Sequence, residues 1–200
     1  MTRDVKIAIP GRITYVTGLV NDLEYSFSLA DDGKWTAAVE RSEDDIYRVQ
    51  ITAIDDRGSV GYYSTVFYYG LHLVTDRTQT DVLEKTEKGF YNATDLNRVG
   101  AAVSYLASEL YNAGYWAKVD PKLDWQLSDL PTHTQLERYL EDVRAVHSCL
   151  PGVIELPDDM EGLDWQEANA IELALLEIDG LLQLLKQAYY YTGELYAGEV

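Results

Sequence analysis

Up to about Gly70 the apolar residues of this chain recur at every second position, and after it at every third or fourth. Strand side chains alternate between two faces, whereas a helix gathers residues three and four apart onto one face. The chain therefore reads as a β part followed by a helical part. Val5, Ile7 and Ile9 form one alternating set, and Leu23, Tyr25, Phe27 and Leu29 another. Trp35, Ala37 and Val39 make a third, and Tyr47, Val49, Ile51 and Ala53 a fourth. Turn formers stand between them: Pro10-Gly11, Asn21-Asp22, Asp31-Asp32-Gly33 and Asp55-Asp56-Arg57-Gly58. Short strands about ten residues apart predict an antiparallel β-sandwich over residues 1–70.

Beyond Gly70, Leu96, Val99, Val103, Leu106 and Leu110 place one apolar stripe along a helix that Gly114 should end. Leu136, Leu140, Val143, Val146 and Leu150 repeat the pattern until Pro151-Gly152. The longest helix is expected from about Trp165 to Tyr191. Ile171, Leu175, Ile178, Leu182, Leu185 and Tyr189 form one apolar row, and Leu173, Leu176, Leu181 and Leu184 a second. Only a narrow polar stripe remains, through Glu172, Asp179, Gln183 and Lys186, which predicts a helix enclosed by its neighbours. Thr132 with Gln135 and Asp164 with Glu167 read as capping boxes. Thr78 with Asp81 starts a shorter helix ending at Gly89, and Trp125 should anchor an irregular segment between Pro121 and Pro131. The expected architecture is two-domain, β then α, with residues 71–200 a helical bundle of three long helices plus a short one.

Sixteen cations against 34 carboxylates leave a net charge of −18, which repels phosphate backbones and anionic lipid. No nucleic-acid partner and no membrane insertion are expected. Residues 1–70 hold seven cations and eleven carboxylates; from Ala145 onward Lys186 faces eleven carboxylates alone. Such a face is ordinarily a solvated one, and its functional use would be docking to a basic partner. The start of the chain has no apolar run of signal-peptide type, and one cysteine, Cys149, fits folding in a reducing cytosol.

Motifs for chemistry are missing from the sequence. His72, His133 and His147 belong to no metal-ligand spacing, and Asp55, Asp56 and Gly58 lack the alternating oxygens of a calcium loop. Cys149 ends an amphipathic helix in an acidic neighbourhood, the reverse of what activates a thiol. There is no nucleophile elbow, phosphate-cradling glycine loop or dinucleotide fingerprint. No catalytic, cofactor-binding or metal residue is assigned, and no cofactor is expected.

Sixteen tyrosines remain, several adjacent: Tyr62-Tyr63, Tyr68-Tyr69 and Tyr189-Tyr190-Tyr191, with Tyr196 close behind. Neighbouring tyrosines cannot all face one core, and an exposed tyrosine suits a protein interface. Tyr189, Tyr190, Tyr191 and Tyr196 are the candidate interface residues.

The two parts of the chain carry separate family resemblances. Tyr47-Arg48-Val49-Gln50-Ile51-Thr52-Ala53-Ile54-Asp55-Asp56-Arg57-Gly58 resembles the strand and turn near the end of bacterial immunoglobulin-like modules. That likeness implies a spacer or adhesive β-sandwich without a catalytic site. Val74-Thr75-Asp76-Arg77-Thr78-Gln79-Thr80-Asp81-Val82, Tyr91-Asn92-Ala93-Thr94-Asp95-Leu96-Asn97-Arg98-Val99, Trp165-Gln166-Glu167-Ala168-Asn169-Ala170-Ile171-Glu172 and the ending from Tyr191 to Val200 resemble a family encoded in prophage tail and baseplate regions of Gram-positive bacteria. This second likeness implies a virion component. It assigns no functional residue.

The expected function is therefore that of a non-enzymatic phage or prophage virion structural protein, of the tail or baseplate. Its partners would be copies of itself or other virion proteins, and its location the virion. The alternative is a cell-surface or carbohydrate-binding adhesion module of the tail tip, with Trp35, Tyr62 and Tyr63 as candidate contacts and a host cell-surface polymer as partner. A cell-wall hydrolase is a third, weaker reading.

Overall fold

A computed structural model describes residues 2–191, with side chains through Ala188. Six strands come first: β1 (Thr2–Ile7), β2 (Ile13–Val20), β3 (Leu23–Leu29), β4 (Trp35–Glu40), β5 (Ile46–Asp55) and β6 (Val60–Tyr68). Helices follow: α1 (Gln79–Leu83), a 3-10 turn (Glu87–Gly89), α2 (Ala93–Asn112), α3 (His133–His147) and α4 (Trp165–Tyr191). The fold is thus an N-terminal antiparallel sheet of six strands followed by helices.

The sheet runs in the order β1-β4-β3-β2-β5-β6 and curls. The curl follows from β3, which pairs with β2 through Leu23–Phe27 and then with β4 at Ser28 and Leu29. Its inner face buries Val5 and Ile7, Val16 and Val20, Phe27, Trp35 to Val39 in alternation, and Tyr47, Val49, Ile51 and Ala53. Three of the four alternating sets of the sequence are thus interior; of the Leu23, Tyr25, Phe27 and Leu29 set only Phe27 is buried, with Leu23 and Leu29 exposed. Asn21 and Asp22 close the β2–β3 hairpin with φ of 48° and 65°, the two left-handed residues that a tight hairpin turn requires. Gly18 is a packing necessity, since a Cβ there would lie 2.2 Å from the Gln50 carbonyl oxygen.

Compactness divides the chain into two units. The first comprises Met1–His72, Tyr91–Ala101 and Lys122–Pro131; the second comprises Leu73–Phe90, Ala102–Pro121 and Thr132–Val200. In the first unit, Trp125 is buried and its backbone is held by Asn97. The Trp125 N–H donates to Asn97 Oδ1 at 2.8 Å, and Asn97 Nδ2 donates to the Trp125 carbonyl at 2.9 Å. Thr65 of β6 donates to the same carbonyl at 2.8 Å.

In the second unit α4 acts as the post to which loops are tied. Asn169 Oδ1 accepts the Arg77 N–H at 3.0 Å and its Nδ2 donates to the Arg77 carbonyl at 2.9 Å. Glu172, wholly buried, takes the Arg77 guanidinium at 2.7 Å and the Val74 N–H. Farther along, the Glu177 carboxylate accepts from the Val153 and Ile154 N–H groups, in space that Gly152 leaves by lacking a Cβ. Lys186 pairs with Glu109 of α2.

Both expected capping boxes form, Thr132 with Gln135 and Asp164 with Glu167, and Thr78 with Asp81 forms another at the start of α1. The short helix differs from its expected extent. It stops at Leu83, because Lys85 turns left-handed at φ 53°, and a separate 3-10 turn carries the chain to Gly89. The second apolar row of α4 also differs: Leu176 and Leu184 are exposed and Leu173 and Leu181 half-buried, whereas Glu172 of the expected polar stripe is interior.

Candidate functional site

The inward side chains of the sheet form the core of the first unit. The outward face of β2, β5 and β6 carries three aligned rows. Tyr15 lies opposite Ile54, which lies opposite Val60; Thr17, Thr52 and Tyr62 form the next row, and Leu19, Gln50 and Ser64 the third. Directly opposed residues of an antiparallel pair share a face, so these nine side chains form one surface. None is charged. Tyr62 is 80% exposed, Tyr15 49%, and Val60 and Leu19 are also exposed.

A bulge creates the Tyr15 corner. The pairing of β2 with β5 slips between Ile13 and Tyr15, which inserts one extra residue, Thr14. Ile13 can thereby pack against the core while Tyr15, two residues on, stays outside. Thr14 holds the slip in place, its hydroxyl within 3.1 Å of the Ile54 carbonyl and 3.3 Å of that of Asp55. Sequence reasoning missed Tyr15, because Ile13 to Val20, interrupted by Gly18, gives no clear alternating apolar set.

Of the three aromatic residues singled out for a surface contact, Tyr62 alone stands free of the core. Trp35 is 7% exposed and belongs to the interior, and Tyr63 points inward and packs against the core. Of the proposed interface tyrosines, Tyr196 lies outside the described residues, as do the side chains of Tyr189, Tyr190 and Tyr191.

The remaining polar clusters are spent on structure. The Asp55 carboxylate accepts from the Arg57 and Ser59 N–H groups at 2.9 and 2.7 Å, and these backbone bonds, that of Ser59 foremost, lower its pKa. The acidic β5–β6 turn is therefore a self-capped turn. His72 meets the Tyr69 carbonyl at 3.0 Å, and His133 pairs with Glu137 on the exposed side of α3. Cys149 is half-buried, its Sγ 3.4 Å from the Ala145 carbonyl, and burial raises its thiol pKa. Among the described residues no three His, Cys, Asp or Glu side chains are grouped so as to hold a metal ion.

A shallow groove of about 360 Å³ lies beside α3 in the second unit, with Lys118, Asp120, Arg138 and Asp142 among its lining. Arg138 pairs with Asp120 at 2.6 Å, and the Asp120 N–H donates to Asp142 Oδ1 at 3.1 Å. Asp142 Oδ2 is buried without a hydrogen-bond partner, and burial raises the carboxyl pKa of this residue. Thr134, Glu137 and Glu141 complete its polar lining.

No family model matches the chain, and no solved structure matches it. Curated proteins with partial similarity include a 1,4-alpha-glucan branching enzyme of Photobacterium profundum, 22% identical over 109 residues, which are 54% of this chain and 15% of the enzyme. The 1,4-alpha-glucan branching enzyme of Methylobacillus flagellatus is 23% identical over 128 residues, 64% of this chain and 18% of the enzyme. The chain thus spans less than one fifth of the length of either relative.

Proposed function

We propose that this chain is a non-enzymatic structural protein of a phage or prophage virion, a tail or baseplate component that works through protein–protein contacts. In this reading the curled sheet is an immunoglobulin-like sandwich, and the long helices with the short one form a bundle. Its partners are copies of itself or other proteins of the particle. The supporting observation is where the resemblance-bearing segments put their polar residues. Arg77 of the first segment is tied to Asn169 and Glu172 of the third, and Asn97 of the second is tied to the Trp125 backbone. Motifs used to brace an architecture fit a structural component better than a catalyst. The test is to induce the encoding prophage and probe density-banded particles with an antibody to the chain. The chain should band with the particles; confinement to the soluble lysate contradicts the reading.

A second reading, contact with a neutral glycan through the β half, draws on two observations. The outward face of β2, β5 and β6 displays Tyr15 and Tyr62 among uncharged neighbours, with Arg48 and Glu24 at its border. The chain also shares partial similarity with enzymes named for branching an α-glucan.

A further inference from the structure

We infer that the open edge of β6 pairs with the β6 of a second copy, antiparallel and around a two-fold axis at Tyr62, so that two sheets join into one. The inference rests on the proposal that copies of this chain assemble, and it assigns that assembly one of its contacts. β6 ends the sheet order, and among the described residues β5 is its one strand neighbour. Hydrogen bonds at both ends of this pair fix its phase: the Asp55 N–H donates to the Ser59 carbonyl, and the Tyr69 N–H to that of Asp45. Counting in steps of two from either end, Gly61, Tyr63, Thr65 and Phe67 bond to β5. The N–H and C=O groups of Val60, Tyr62 and Ser64 then face the open edge, and all three residues are exposed.

Main-chain groups so arranged take up an extended strand, and edges that refuse one do so by charge, proline, a bulge or a cover. β1, the other edge, carries Arg3, Asp4 and Lys6, and the Tyr69 hydroxyl occupies its Asp4 carbonyl. β6 has nine residues without a charge or a proline, and its pairing with β5 runs without a slip. The charge balance favours a second copy as the occupant. Two chains of −18 repel, and a two-fold contact sets each residue near its own equivalent, so it forms best on a strand without carboxylates. With Tyr62 opposite Tyr62 of the second copy, Val60 lies opposite Ser64 of the second copy. The ladder then holds about six main-chain hydrogen bonds and one cross-strand aromatic pair. A pairing this short buries far less than the roughly 1,200 Å² of a lasting interface. It therefore joins copies that another contact already holds, and does not make a dimer by itself.

The test is disulfide trapping of the full chain in a Cys149→Ser background, at a concentration where light scattering shows assembly. Tyr62→Cys brings two cysteines to a Cα separation of about 5.5 Å across the two-fold axis, within reach of a disulfide. Tyr15→Cys lies on the same face but leaves its pair roughly 24 Å apart, with four strands between them. Mild oxidation should cross-link the Tyr62→Cys chain roughly tenfold faster than the Tyr15→Cys chain. Both tyrosines are exposed, so thermal melts matching the Cys149→Ser parent are expected and will show that the variants are folded. A full chain of single-chain mass overturns the assembly reading itself. Assembled chains whose Tyr62→Cys variant cross-links no faster than the Tyr15→Cys variant keep that reading and remove this edge from it, leaving β6 to a strand of another protein.

Discussion

Asparagine does the same work at three places in this chain. Asn21, Asn97 and Asn169 each turn a side-chain amide onto the main chain, giving a hydrogen bond and taking one as a neighbouring strand would. Buried N–H and C=O groups in irregular segments need such partners, because leaving one unpaired costs about 1–3 kcal/mol. Asp142 is the opposite case, a carboxylate that accepts one N–H and leaves its other oxygen buried and unpaired. Burial is the leading cause of its raised pKa, and the neighbouring Asp120 and Glu141 act in the same direction. The protonated form therefore binds the fold better than the ionised one. Its contribution is fully present below the ordinary carboxylate range and is lost as the pH rises through the raised folded value. Asp142→Asn keeps an acceptor for the Asp120 N–H without the charge. The variant should melt at a higher temperature than the parent at neutral pH, and the two should converge in acid; thermal melts from acid to neutral pH check this.

At the level of elements, α4 holds its surroundings by polar ties set along one helix. Asn169, Glu172 and Glu177 each take up backbone N–H groups from a segment that has no sheet or helix to pair with. Breaking a buried ion pair by removing one charge costs about 3–5 kcal/mol, since the other is left uncompensated. Glu172→Gln should cost that much and should loosen residues 73–78 first, seen as faster amide exchange there than along α4. The helices themselves were legible because each apolar stripe and each capping pair is local: Thr132 with Gln135 needs four consecutive residues and nothing more. The ties were not. Glu172 lies on the polar side of its own helix, and its partner Arg77 is 95 residues away, so periodicity marks it as solvated. The strands divide in the same manner. Alternation marks Tyr47 to Ala53 as core, but the slip between Ile13 and Tyr15 is a pairing event between strands and leaves no periodic trace. That slip is what turns Ile13 inward, a placement that alternation with Val16 does not predict.

For the molecule as a whole, the account rests on surfaces in place of reactive groups. The net charge of −18 limits association with anionic partners, and self-association must overcome the same repulsion. Tyr62, Tyr111 and Trp116 are among the aromatic residues left in solvent, a residue type that suits protein contacts. Symmetric repetition is the usual way a protein of this size builds a larger object, and it works through one self-complementary patch or a head-to-tail ring. On this account the candidate patch is the cluster Tyr189, Tyr190, Tyr191 and Tyr196. Light scattering of the pure full-length chain, beside a chain ending at Ala188, tests the claim most directly. The account predicts a multiple of 22.6 kDa for the full chain and a single-chain mass for the shortened one; a single-chain mass for both contradicts it.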